Sequence, residues 1–168
     1  ETYGKAATQR DGRWVDRLQL IPKAREIKDE MPAHMGALIG DALAETGREL
    51  DGSKVALLGA AYLQNADDAR NTPAAALAEL LILAGAKVVV HDPLVREAEW
   101  QRALAPGVSA PLFVAVLAAL DGADCAALVT KHKEYLVMDL ARIAQAMRNP
   151  ALVDGRNALD LAECTKAG

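Results

Sequence analysis

The chain changes its hydrophobic rhythm once, near residue 50. Across residues 21–47, "IPKAREIKDEMPAHMGALIGDALAETG", apolar positions recur at steps of three or four: Ile21, Ala24, Ile27, Met31, Met35, Leu38, Ile39 and Leu43. That period lines one face of a helix. Pro32 removes a backbone donor in the middle, which predicts a bend or a split into two helices. Gly47 suits the residue just past the helix end. The stripe needs a surface to pack on, either its own domain or a neighbouring domain or subunit. Residues 1–20 are polar and without a clear period, and read as a tail or loop.

From residue 52 onward, short apolar runs alternate with helical stretches. "KVALLGA" reads as a buried strand after the turn "DGS". Residues 73–84, "PAAALAELLILA", read as a helix opened by Pro73 and ended before Gly85. "AKVVVHDP" is a second strand, "LVREAEWQRAL" a short helix and "GVSA" a short strand. "PLFVAVLAALDGA" reads as a helix, "DCAALVT" as a buried strand, and "HKEYLVMDLARIAQAM" as one helix stopped by Pro150. "ALVDGRN" is a last strand and turn, followed by the short helix "ALDLAECTK". Strands apolar throughout and alternating with helices predict an α/β fold: a doubly wound, mostly parallel sheet with helices on both faces. The expected layout is residues 1–20 as a tail, 21–50 as a helical linker and 51–168 as the sheet domain.

In such sheets ligands bind beyond the carboxyl ends of the strands, so the turns there carry the chemistry. The first, "GAAYLQNADDARNTP", keeps one glycine, Gly59, where a dinucleotide fingerprint needs three at G-x-G-x-x-G spacing. The main cofactor site is therefore not expected in this domain. Arg70 is suited to pair with a phosphate, and Asp67 and Asp68 are equally suited to hold Arg70 in place. Thr72 before Pro73 resembles a helix N-cap. Asp92 ends the second strand 33 residues after Gly59, later than the ~20 usual for a ribose-binding acid; an Asp-Pro turn that ends the strand is the better reading. Arg156, in the turn "VDGRN", adds a second cation at the same sheet edge and strengthens the case for an anion site. The alternative there is an exposed turn with a solvated arginine. Thr130 and His132 follow a strand and precede a helix, where helix capping outweighs general-base chemistry.

Composition narrows the function classes. The chain is 168 residues, 52% hydrophobic and 25% charged, which suits one folded domain with an appendage. Its formal net charge of −4 argues against nucleic acid or an anionic membrane as the main partner. Two cysteines, Cys125 and Cys164, stand outside any CxxC or Cys/His array, so no metal site is expected. Cys125 reads as a buried core thiol in a reducing, cytoplasmic setting. No signal peptide or membrane span is evident. The absence of an initiator methionine reads as a fragment or a processed piece.

Taken in order, "AREIKDEMPAHM", "VALLGAAYLQNADDARNTPA", "VVVHDP", "TKHKEY" and "VDGRN" resemble the UDP-glucose/GDP-mannose 6-dehydrogenase family. The likeness covers roughly residues 20–160, the end of that family's central helical segment and its C-terminal domain. It implies a Rossmann-like UDP-binding domain of an enzyme that oxidises the C6 alcohol of a UDP-sugar to the uronate. It further implies NAD bound by a separate N-terminal domain, a catalytic cysteine upstream, and a homodimer formed through the helical segment. By that resemblance Tyr62 and Leu63 fall on the family's aromatic-lysine pair at the substrate, and Leu63 replaces the lysine. Arg70 falls on the arginine facing the cofactor side of the interdomain cleft, and Arg156 on a substrate-contacting arginine. None of the family's catalytic residues falls in this chain, so the chain alone is expected to be inactive. "AREIKDEMP" and "VDGRN" incline the resemblance toward an N-acetylhexosamine substrate.

Overall fold

The computed structural model describes residues 7–10, 13–16 and 20–168. They fall into two compact units, Glu1–Met31 and Pro32–Gly168. The first unit holds an antiparallel pair, β1 (Ala7–Arg10) and β2 (Arg13–Asp16), with Thr8 opposite Val15. This pairing stands where no period was visible in the sequence; the rest of the expected tail lies outside the described residues. Helix α1 (Leu20–Glu45) is assigned as one element with Pro32 inside it, so the proline does not split it in two.

The second unit is built on five strands: β3 (Lys54–Leu58), β4 (Lys87–His91), β5 (Leu112–Phe113), β6 (Cys125–Leu128) and β7 (Ala151–Asp154). They pair in parallel in the order β5-β4-β3-β6-β7. Apolar runs without polar alternation favour such two-sided burial. The crossovers carry helices α2 (Pro73–Leu83), α3 (Glu97–Ala103), α4 (Val116–Leu120) and α5 (Leu140–Ala146); α6 (Leu161–Ala167) follows β7. Thr72 caps α2, accepting the Ala74 N–H at 3.3 Å, with Pro73 in the first turn.

Alternate strand residues feed two separate cores, as the two-residue period of a strand requires. Val55, Leu57, Val90, Cys125 and Ala127 pack with Leu77 and Leu81 of α2, Trp100 of α3, and Met35, Ile39 and Leu43 of α1. Ala56, Leu58, Val89, Ala126 and Leu128 pack with Leu120, Tyr135, Ile143 and Met147 on the other side. The small residues of β6 leave room for these larger partners. Burial pushes the Cys125 thiol up to about 12, consistent with a core thiol.

Three local expectations change. The fifth strand is Leu112–Phe113, one step beyond "GVSA", because Ala110 O accepts the buried Trp100 indole N–H at 2.7 Å while Leu112 and Phe113 pair with Val90 and His91. The helix read over "PLFVAVLAALDGA" accordingly starts only at Val116. The single helix read from His132 divides into a 3₁₀ helix (Lys133–Val137) and α5. Asp139 causes the restart: its Oδ1 accepts the Arg142 N–H at 3.1 Å and caps a new helix.

The chain leaves β3 toward β4 and β5, then returns to add β6 and β7 on the other side. The switch point thus lies between the carboxyl ends of β3 and β6. Gly59 sits there with φ +101, and a Cβ on it would lie 2.5 Å from Thr130 Cβ and 2.7 Å from Thr130 N. Both the left-handed backbone and the contact with fixed backbone exclude a side chain. Gly59→Ala is expected to lower stability by about 2–4 kcal/mol, read as a shift in the urea midpoint at an unchanged slope.

Candidate functional site

The segment 59–72 leaves the switch point as a long loop, and one buried carboxylate anchors it. Asp92, at the end of β4, is almost fully buried. Its Oδ2 accepts the backbone N–H of Ala60 at 2.7 Å and of Ala61 at 3.0 Å. Its Oδ1 accepts the N–H of Leu94 and of Val95, both at 2.9 Å. One carboxylate thereby joins the start of the loop after β3 to the turn after β4. Asp92 therefore does more than end a strand, and its oxygens have no capacity left for a ribose hydroxyl.

The continuation of β6 closes the other side. His132 Nε2 lies 3.1 Å from Asp92 Oδ2, and its Nδ1 accepts the Asn65 N–H at 2.9 Å. With Nδ1 accepting, the ring proton sits on Nε2 and is donated to Asp92. Asn65, at φ +57, returns the contact by accepting the Lys133 N–H on Oδ1 at 3.0 Å. Thr130 donates its hydroxyl to Ala61 O at 2.7 Å. Neither Thr130 nor His132 uses its side chain as a helix cap, contrary to the sequence expectation. Both are spent on the loop instead. Tyr135 completes the buried set, donating to His91 O at 2.9 Å with His91 Nδ1 at 3.0 Å, and His91 Nε2 reaches Val114 O at 3.2 Å.

The exposed groups stand on this frame. Tyr62 is partly exposed and Leu63 largely so, at 62%. They lie in the stretch between the Asp92 anchor and Asn65, beside the extension of β6. Arg156 follows β7, whose Asp154 shapes the turn: its carboxylate accepts the N–H of Arg156 at 2.9 Å, Ala158 at 2.6 Å and Leu159 at 2.8 Å. The Arg156 side chain makes no hydrogen bond or ion pair among the described residues. Gly155 sits close under its neighbours: a Cβ there would lie 2.5 Å from Met35 Sδ, which would have to shift, and 3.1 Å from Leu128 O. β7 is two strands from β3, so the loops bearing Tyr62, Leu63 and Arg156 leave the same carboxyl edge of the sheet from strands about 10 Å apart.

Arg70 stands apart from them, on the α3 side. It grips Asp68 through Nε at 2.9 Å and an Nη at 2.7 Å, which draws the Asp68 carboxyl down to about 2. Asp68, rather than Asp67, is the arginine's partner. Both aspartates, Arg70 and Asn71 line a cleft of about 550 Å³ with Glu99 and Arg102. The fingerprint glycines are absent, Thr130 fills the space beside Gly59, and Asp92 is saturated. These residues do not fit the pyrophosphate and ribose of a dinucleotide, and no hydride-transfer step is assigned to them. Among the described residues no cluster of His, Cys, Asp and Glu is arranged to hold a metal ion, and no helix is long and apolar enough to cross a membrane.

Sequence reading missed Asp92, His132 and Asn65 as a unit. The available signal was a polar residue beyond each of the two apolar strands, β4 and β6, that flank β3 and its loop.

The anchor has a pH signature. Burial alone would raise the Asp92 value, but the hydrogen bonds from His132 and the backbone N–H groups outweigh it and hold the carboxyl at about 2, below its usual 3.8. A depressed carboxylate contributes fully above pH ~4 and loses its contribution as pH falls toward ~2, an effect of about 2 kcal/mol. Burial also lowers His91 from 6.5, so its protonation opposes folding below that pH. Acid unfolding followed by circular dichroism is expected to show stability declining below pH ~6.5 and falling further below ~4. Asp92→Asn, which sets an amide donor against backbone donors, is expected to cost about 2–4 kcal/mol at neutral pH and to remove the lower limb.

Comparison with known proteins places this geometry. Residues 56–161 match the UDP binding domain of the UDP-glucose/GDP-mannose dehydrogenase family. A UDP-N-acetyl-D-mannosamine dehydrogenase of Pyrococcus horikoshii is 32% identical over 138 residues, 82% of this chain and 30% of that protein. A UDP-glucose 6-dehydrogenase of Pseudomonas aeruginosa is 38% identical over 109 residues, 63% of this chain and 24% of that protein. The crystal structure of an NDP-N-acetyl-D-galactosaminuronic acid dehydrogenase from Methanosarcina mazei Go1 superposes with a TM-score of 0.80 at 32% identity, over 97% of this chain and 32% of that one. The chain thus spans about a third of the length of such relatives. With the matched region covering both anchored turns and all but the first two residues of the five-stranded sheet, the chain belongs to the UDP-glucose/GDP-mannose dehydrogenase family and carries its UDP binding domain.

Proposed function

We propose that this chain is the substrate-binding portion of an NAD-dependent UDP-sugar 6-dehydrogenase, which converts a sugar C6 alcohol to the carboxylate. The observation that carries this reading is the match of residues 56–161 to the family's UDP binding domain, with Tyr62, Leu63 and Arg156 at one sheet edge. Tyr62 and Leu63 would meet the nucleotide part of the substrate, and Arg156 would supply a cation to it. Arg70 would face NAD held by the rest of the enzyme. Asp68 takes Nε and one Nη of Arg70, leaving the second Nη for that contact. The layout in this reading is a helical linker over 21–50 and a nucleotide-sugar domain over 51–168. A cytoplasmic enzyme is the setting that a nucleotide-sugar substrate and a free core thiol favour.

The relatives' names include both N-acetylhexosamine and glucose dehydrogenases. An N-acetylhexosamine substrate is our preference, in keeping with the Methanosarcina structure. A panel of UDP-sugars on the full-length enzyme separates the two. Leu63 supports a second reading, a nucleotide-binding module without catalytic duty, because an exposed apolar group stands where a cation would serve a phosphate. NADH formation by the full-length enzyme favours the first reading and its absence the second.

Helix α1 supports a homodimer. Leu20, Ile21, Ile27, Met31 and Leu38 are apolar and exposed along it, and a contiguous apolar face of this kind favours burial against a second copy. Light scattering is expected to give a dimer mass that falls to the monomer in Ile27→Lys/Met31→Lys.

Calorimetric titration of this chain is expected to show binding of UDP and UDP-sugars and none of NAD. The chain alone should form no NADH above background. Arg156→Ala should weaken UDP binding about tenfold, and Leu63→Lys should strengthen it several-fold. If neither UDP nor any UDP-sugar binds even with the remainder of the enzyme present, the proposal fails.

A further inference from the structure

We infer that His132 is the positioning residue of the UDP-binding loop: its imidazole, held on Asp92, fixes the stretch carrying Tyr62 and Leu63 through the Asn65 N–H. The inference rests on the proposed UDP-binding role only for its effect on affinity; the mechanical part stands on the geometry alone.

Along its first half the loop 59–72 is tied to the neighbouring strands and their extensions by backbone and side-chain hydrogen bonds. Ala60 and Ala61 hang from Asp92, and Ala61 O takes the Thr130 hydroxyl. Tyr62 N–H bonds back to Asp68 O at 2.8 Å, which closes the loop on itself rather than on the sheet. Further along, Asn65 makes two bonds to the segment after β6. Its N–H meets His132 Nδ1 and its Oδ1 meets Lys133 N–H. Tyr62 and Leu63 therefore lie between two clamps, Asp92 at one end and His132 at the other. Asp92 serves both, since Oδ2 accepts from the Ala60 and Ala61 amides and from His132 Nε2.

Chemistry selects histidine for this place. The position needs one donor toward a carboxylate and one acceptor toward an amide, set on a rigid plane a few ångströms across. A neutral imidazole offers one of each on opposite sides of a ring. The ring is 1% exposed, and Tyr135 packs edge-on against it at 5.7 Å between centroids, so its plane is fixed. A lysine or arginine could only donate, and an aliphatic residue would leave the Asn65 N–H without an acceptor. Two polar residues on strands far apart in sequence thus control a third segment that bears the exposed groups. Fixing those groups before binding removes part of the ordering cost from the ligand.

Three measurements test this on the full chain. In the unliganded wild type, the ring nitrogen shifts of His132 should report Nε2 protonated and Nδ1 as an acceptor; the reverse tautomer would overturn the inference. In His132→Ala, amide exchange should accelerate at Asn65 and its loop neighbours while residues 54–58 of β3 keep their protection. UDP affinity should fall about tenfold in the same variant. His132→Gln, which retains one donor and one acceptor, should recover part of both losses and serves if the alanine variant does not fold. Unchanged loop exchange in a folded His132 variant sinks the inference whatever UDP does. Faster loop exchange with no UDP binding in the wild type instead leaves the clamp standing and removes the UDP reading.

Discussion

Everything at the carboxyl edge of the sheet depends on how one buried carboxylate spends its lone pairs. Asp92 accepts from Ala60, Ala61, Leu94 and Val95 and from His132. A charge buried without partners would be untenable; five donors make it a fixed point. Two loops from adjacent strands and the extension of a third are tied to that point. The arrangement converts a site that would have suited a ribose into a structural joint. It explains how a sheet of the dinucleotide-binding type can present a long polar loop instead of a glycine cradle. The exposed groups Tyr62 and Leu63 are then set by their own positions on the loop rather than by a helix N-terminus.

Much of the fold was legible because its signals are local. Unbroken apolar runs in Val55–Leu58, Val88–Val90 and Cys125–Leu128 state a buried parallel sheet, and Pro73 and Gly85 mark the ends of α2. The errors came where a side-chain partner or a pairing, rather than hydrophobic period, decides the local state. Ala110 is claimed by the Trp100 indole, so the strand begins later. Asp139 restarts a helix that hydrophobic period alone would continue. The pairing of Thr8 with Val15 has no alternating pattern to announce it.

The site was less legible than the fold for the same reason. Arg70 and Arg156 stood out as cations beyond strand ends, where such sheets bind ligands, and Tyr62 and Leu63 only through the family resemblance. Their division into two places did not show. Arg70 lines a cleft with Glu99 and Arg102 of α3, whereas the stretch bearing Tyr62 and Leu63 is tied to the segment after β6. The choice of Asp68 over Asp67 as partner of Arg70 is a matter of backbone direction that spacing does not encode. Asp92 and His132 were both read by their neighbours in sequence, as a turn and a cap, when their work lies across the sheet.

The sequence distances in this joint bear on how the chain folds. The Ala61 contact with Asp92 spans 31 residues, the His132 contact with Asp92 spans 40, and the Asn65 contact with His132 spans 67. Contacts of such separation close only after the intervening chain has found its place. β3 must pair with both β4 and β6 before the loop between β3 and α2 has anything to hold. The segment that bears the exposed groups is therefore among the last to settle, so its order reports on the completion of the whole parallel sheet.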